Sequence, residues 1–179
     1  MEISIRTVAV KDAERISEIM KQEKVLPNII SLPSMRTEKM EERLRNATAE
    51  NHEFVAEVNG IVVGFCGLHQ GRGRRSHSGT LFIMVDEEYH GKGIGTSLMK
   101  KVISLADQWL LLERIELTVI ENNPMAKSLY ERLGFVEEGL AHGTIVQHGQ
   151  YVGEYQMARY RPNGRIQERM NNTFEETKQ

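Results

Sequence analysis

Short β-rich runs alternate with helical stripes along this chain, and the order of the two periods sets the expected fold. Apolar residues over 3–8 read as a strand, and Ala13, Ile16, Ile19 and Met20 make one face of a helix over 11–24. A loop with Pro27 and Pro33 spans 25–36, and a highly charged helix runs from Thr37, with Glu41 shortly after, to about residue 49. The runs 54–58 and 61–68 flank Asn59-Gly60, a pair suited to a tight hairpin turn. Residues 70–79 form a polar loop, and 80–85 reads as the next strand. Leu98, Val102, Leu105, Ala106 and Trp109 then repeat with a 3.6-residue period. Strands over 135–146 and 151–160, joined at His148-Gly149, close the pattern. Residues 161–179 are polar and read as a flexible tail, leaving one domain over 1–160.

The chemistry concentrates where the strand 80–85 passes through Asp86 to His90 into Gly91-Lys92-Gly93-Ile94-Gly95-Thr96. Three glycines in five positions admit backbone dihedrals that a Cβ would forbid. Peptide N–H groups can then turn inward as an anion-binding concavity, reinforced by the unpaired first turn of the following helix. The spacing excludes two familiar ligands. A dinucleotide turn needs G-x-G-x-x-G, and here the third glycine position holds Thr96 or Leu98. A Walker loop needs its lysine after the last glycine, whereas Lys92 precedes the second.

About thirty residues on, a second strand–helix unit follows. The run 115–120 is β-rich, Asn123 is a good N-cap and Pro124 suits the first helical position. Met125, Leu129 and Leu133 share a helical face, and Gly134 is a natural stop before Phe135. Consecutive strand–helix units of this length are what a parallel pair of strands requires.

Taken together, V-x-x-x-x-x-G-x-G-x-G and N-x-x-A-x-x-L-Y-x-x-x-G-F resemble the two signatures of the GNAT superfamily of acetyl-CoA-dependent N-acetyltransferases over roughly residues 3–160. The resemblance implies an α+β fold: a mostly antiparallel, twisted sheet of about seven strands with a splayed parallel pair, flanked by about four helices. It implies acetyl-CoA as cosubstrate and no metal. Gly91 to Thr96 would hold the pyrophosphate, and Asn123 would touch the pantetheine or cap its helix. A bulge in the glycine-turn strand would free the N–H groups of Ile83, Met84 and Val85 for the thioester oxygen. Tyr130 would protonate the leaving thiolate. His90 stands where the family usually has Arg or Gln, and weaker phosphate binding is expected from it.

Composition narrows the setting. A chain of 179 residues with net charge −2 can bury a real core and is not built as a nucleic-acid binder. The lone Cys66 excludes an internal disulfide framework, Met1-Glu2 opens no signal peptide, and the longest apolar run, near 61–68, is too short to span a membrane. A cytoplasmic enzyme is expected, with homodimerisation common among relatives.

The acceptor is less legible. The segments around Asp107-Gln108-Trp109 and Gly149-Gln150-Tyr151 resemble the branch acting on small amines, with Gly153 where that branch often has Asp. The loop 26–35 and the last hairpin would line the acceptor pocket, and Leu26, Ile29, Ile30 and Leu32 favour an apolar amino acid or amine over a polyamine. An α-amine of pKa about 7.7–8 costs ~1 kcal/mol to deprotonate at pH 7, against ~4.6 kcal/mol for an alkyl amine near 10.4. His77 and Glu121 are the candidate bases. Cys66-x-x-His69 lacks further ligands for a metal, and Arg72, Arg74 and Arg75 form a basic loop tip that could attract the cofactor's 3′-phosphate or an acidic substrate. Acetylation of a protein N-terminus or lysine, and a non-catalytic acetyl-CoA sensor, stay open as alternatives.

Overall fold

The computed structural model describes residues 1–176. In chain order it contains β1 (Ser4–Thr7), α1 (Ala13–Met20), α2 (Thr37–Arg45), β2 (Asn51–Val58), β3 (Ile61–Gln70) and β4 (Ser78–Val85), followed by α3 (Ile94–Gln108), β5 (Arg114–Ile120), α4 (Pro124–Arg132), β6 (Val136–Gln147), β7 (Gln150–Tyr160) and α5 (Arg165–Glu176). The seven strands form one sheet in the order β1-β2-β3-β4-β5-β7-β6. Every neighbouring pair is antiparallel except β4 with β5. This is the expected mixed α/β architecture, with a fifth helix where the polar composition suggested an irregular tail.

Helices cover both faces. Ile16, Ile19, Met40 and Leu44 of α1 and α2 pack on Val55, Val62 and Phe65. On the other face Leu98, Val102 and Ala106 of α3 join Tyr130 of α4 over Val63, Leu68, Leu117 and Val119. The predicted hairpins are in place, with Asn59, Gly60, His148 and Gly149 at positive φ (51°, 77°, 49° and 77°) as their two-residue turns demand.

Several expected details differ. The helix read to residue 24 ends at Met20, and the charged helix ends at Arg45. Trp109 belongs to the apolar period of α3 yet is 79% exposed. The helix stops before it, Leu111 takes a left-handed conformation (φ 51°), and Leu112 turns back so that its N–H donates to Ala106 O at 2.9 Å. Leu112 thereby fills the buried place that Trp109 would have taken.

The contact of α3 with β3 is close because Gly64 has no side chain. A Cβ there would lie 2.9 Å from Leu98 Cδ1 and 3.0 Å from Ile94 Cγ2. We expect Gly64→Ala to cost about 1–3 kcal/mol by overpacking, lowering Tm by roughly 2–12 °C in a thermal melt. An unchanged melt would show that α3 shifts without loss.

Candidate functional site

Pairing within the sheet creates the site. The β4–β5 pair holds only from Ser78–Thr80 against Arg114–Glu116. Beyond it β4 stays locked to β3 up to Val85, while all seven residues of β5 pair with β7. Each strand follows its outer neighbour, and the twist of the sheet carries the two apart. The divergence needs no bulge in β4, whose register against β3 is unbroken from Gly64–Val85 to Gln70–Gly79, a correction to what the resemblance implied.

That unbroken ladder also separates the three β4 amides. The Asp86 N–H donates to Val63 O at 2.9 Å, and Ser78 O accepts from the Gly71 N–H at 2.8 Å, both across to β3. By strand alternation the Met84 amide faces β3 as well, whereas those of Ile83 and Val85 face the gap. Met84 therefore offers its side chain to the site and not its N–H.

At the C-terminal end of β4 the glycine turn is tied down from several sides. Asp86, 1% exposed, accepts from the Glu88 N–H at 2.9 Å and pairs with Arg15 of α1. His90 turns back so that its Nε2–H donates to Val85 O at 2.8 Å, which fixes the proton on that nitrogen. The position that departs from the family pattern thus braces the turn against the strand. Gly91 and Gly93 have φ of 72° and 84°, a region costly for any residue with a Cβ. Gly93 caps α3 with no side-chain bond, so the first-turn amides of Ile94, Gly95 and Thr96 are left for an anion. Lys92 projects away, its Nζ 4.9 Å from the centre of the Tyr89 ring.

A cavity of about 330 Å³ follows this turn, lined by Ile83 to Val85, by His90, Gly91 and Gly93 to Thr96, and across the gap by Thr118, Val119, Asn123 and Tyr130. Of the predicted cofactor residues Lys92 alone is missing from its walls. Asn123 Oδ1 accepts from the Ala126 N–H at 3.2 Å, the expected N-cap. Met125 is 60% exposed because its end of the α4 face looks into this cavity instead of the core.

A second cavity, about 800 Å³, lies on the α1–α2 face. The two share Asn28, Ile29, Ile83, Met84, Thr118 and Tyr130, so they meet where β4 and β5 part. Tyr130 is 7% exposed and its hydroxyl has no hydrogen-bond partner among the described residues. Burial, with a smaller contribution from Cys66, pushes its pKa well above the ordinary tyrosine value. The group keeps its proton at neutral pH and stands at the junction.

The second cavity is polarised. Arg43 and Arg75 stand among its lining residues from α2 and the loop before β4, and Glu116, Glu138 and Glu154 among those from β5, β6 and β7. Arg114 is taken up by Glu138 at 2.5 Å, whereas the half-buried Glu154 carboxylate has no partner among the described residues. Residues of the loop after α1, namely Asn28 to Ser31 and Met35, also line it. Gln147 Nε2 donates to Pro27 O at 2.8 Å, tying that loop to the last hairpin.

The two bases proposed from sequence do not reach either cavity. His77 lies at the far end of β4, its carbonyl accepting from the Glu113 N–H at 2.8 Å. Glu121 accepts from the Gly153 N–H at 2.8 Å and serves the backbone. Gly153 itself leaves no room for a side chain, because a Cβ would lie 2.7 Å from Ala141 O. Cys66 is fully buried in the α3 layer, and His69, three residues on, faces the opposite side of β3. Arg72 pairs with Glu50 at 2.6 Å. Arg43 and Glu154 were missed from sequence because each reads as one more surface charge until β-pairing brings them to one cavity.

Comparison with known proteins agrees with this geometry. The Acetyltransferase (GNAT) family profile matches residues 15–135. The L-amino acid N-acetyltransferase AaaT of Escherichia coli strain K12 is 36% identical over 88% of this chain and 98% of its own length. The spermine/spermidine N(1)-acetyltransferase of Bacillus subtilis strain 168 is 34% identical over 45% of the chain and 56% of its own. A GNAT-family acetyltransferase of Streptococcus pneumoniae superposes with a TM-score of 0.77 at 27% identity, over 89% of this chain and 99% of that one. With a matching profile over most of the chain, a relative matched over nearly its whole length and a solved structure of the same fold, the chain belongs to the GNAT family of acetyltransferases.

Proposed function

We propose that the protein transfers an acetyl group from acetyl-CoA to the primary amine of a small molecule, an α-amino acid in particular, by direct attack. The observation that carries this reading is the meeting of two cavities at the β4–β5 gap. Gly91 to Thr96, flanked by His90, hold the pyrophosphate on their amides, and Asn123 lies along the pantetheine arm. The Ile83 and Val85 amides stabilise the oxygen on which charge develops. The amine nitrogen attacks the thioester carbon, the C–S bond breaks, Tyr130 protonates the departing sulfur, and the proton shed by the newly acylated nitrogen restores the tyrosine hydroxyl. Glu154, directly or through water, takes the proton that the ammonium must lose first.

The polarised second cavity supports an amino acid over a polyamine. A zwitterion satisfies both walls, whereas a polycation meets only the acidic one and is opposed by Arg43 and Arg75. The 36% identity to an L-amino acid N-acetyltransferase points the same way. A cytoplasmic setting, supported by the single buried Cys66, belongs to the same reading. So does a homodimer, supported by the twelve-residue edge strand β6 and by Val146 and Tyr151, 68% and 80% exposed. The test is CoA release from acetyl-CoA against amino acids, polyamines and short peptides. Apolar amino acids are expected to lead. A strong preference for spermidine, or for peptides alone, would overturn the acceptor assignment, and folded protein releasing no CoA would favour a sensor.

A further inference from the structure

Arg43 is set up as no other cation in the acceptor cavity is. It projects from α2, and its two Nη atoms donate to Glu53, at 2.5 Å to Oε1 and 3.4 Å to Oε2. Glu53 is 4% exposed and also bonded at 2.8 Å to His69 Nε2, so the carboxylate that holds the arginine is itself held. The guanidinium carbon lies 5.5 Å from the centre of the Phe65 ring and 5.3 Å from that of Phe82. The two rings meet edge to face at 5.1 Å, and His69 packs edge to face on Phe82. A guanidinium bonded end-on to one carboxylate and resting on two aromatic rings has little orientational freedom left. Nη1 also contacts Met40 Sδ at 3.8 Å and Nη2 lies 3.5 Å from His69 Nε2, while the Nε–H has no partner among the described residues and the side chain lines the cavity. The end of the fork is therefore occupied, and the Nε–H is left for a ligand.

We infer that Arg43 recognises the α-carboxylate of the acceptor, with Glu53 as its positioning residue. The inference rests on the acetyl-transfer reading above and names the group that selects the substrate. Phe82 adjoins Ile83 and Met84 at the gap, so a carboxylate on Arg43 leaves the α-amine directed toward the thioester and Glu154. The acceptor's side chain then meets Met20, Ile29, Ile30 and Met35. The other cations do not match. Arg114 is saturated by Glu138, Glu116 and Tyr160, and Arg75 lies on an exposed turn with no side-chain partner among the described residues to orient it.

The test compares L-leucine, L-leucinamide and 3-methylbutylamine as acceptors for wild type, Arg43→Gln, Arg43→Lys and Arg75→Gln, with rates expressed per free amine. Wild type is expected to favour leucine roughly 10- to 100-fold over the other two, the span of one charged hydrogen-bonded contact. In Arg43→Gln that advantage falls to within about threefold, the loss appearing in acceptor KM. Arg43→Lys recovers part of it, because the charge returns without the fork. Since Arg43→Gln leaves the buried Glu53 uncompensated, Arg43→Gln with Glu53→Gln provides a neutral pair should the single variant not fold. Equal use of leucine and its amide by wild type would overturn the anchor while leaving acetyl transfer standing. So would loss of the preference in Arg75→Gln instead of Arg43→Gln, or a parallel rise in KM for all three acceptors. Wild type that acetylates none of the three would overturn acetyl transfer to this class, and the anchor with it.

Discussion

Replacing Tyr130 with phenylalanine is expected to lower kcat about 100-fold or more with little change in the KM for acetyl-CoA. The hydroxyl stands where the two cavities meet, it has no hydrogen bond to lose among the described residues, and burial keeps it protonated at neutral pH. A positioned acid contributes roughly 10²- to 10⁴-fold, and the lower figure applies because solvent reaching the gap can also protonate a thiolate. The ring itself packs 6.0 Å from that of Phe135, and phenylalanine preserves this contact. Thermal stability should therefore hold while turnover falls. A kcat within threefold of wild type would reduce Tyr130 to a core residue.

The second large effect is expected at Gly93. Valine there would have to adopt a φ of 84°, which costs a β-branched residue about 1–3 kcal/mol or more. Its side chain would also enter open space beside the amides of the first α3 turn, where a glycine's ideal Cβ meets no atom within 4 Å. Both effects act on the same anion cradle, so the Kd for CoA by calorimetry should rise roughly 30- to 100-fold. Lys92→Ala serves as the contrast, because that side chain rests on Tyr89 outside the cavity, and it should change the Kd less than about threefold. If both variants bind CoA like wild type, the phosphates are held elsewhere.

These predictions lean on different parts of the sequence signal. The glycine turn, Asn123-Pro124 and the stop at Gly134 were legible because they depend on local backbone chemistry. Positive φ, an N-cap and a φ fixed by proline need no distant partner. The hairpins at Asn59-Gly60 and His148-Gly149 were legible for the same reason. Trp109 was misplaced because its helical period says nothing of where the helix ends. That end is set by the turn that buries Leu112.

The second cavity was much less legible. Glu53 reads as one more charge just before the 54–58 run, His69 as half of a weak metal pair, and Arg43 as one charge on a charged helix. Only the β2–β3 pairing of Glu53 with Gly67, and the packing of α2 over that pair, join them into one network beside Phe65 and Phe82. Glu154 joins the opposite wall through its pairing with Ile120. Gly153 lacks a side chain because Ala141 O occupies its place.

What the sequence determined by itself was the order of elements and the glycine turn with its positive-φ residues, since both follow from periodicity and short-range dihedral preference. The tertiary structure alone decided which β4 amides face the gap, where the two cavities meet and which charges line the second one. Those outcomes depend on strand register and twist, properties of pairs of strands that no single segment encodes.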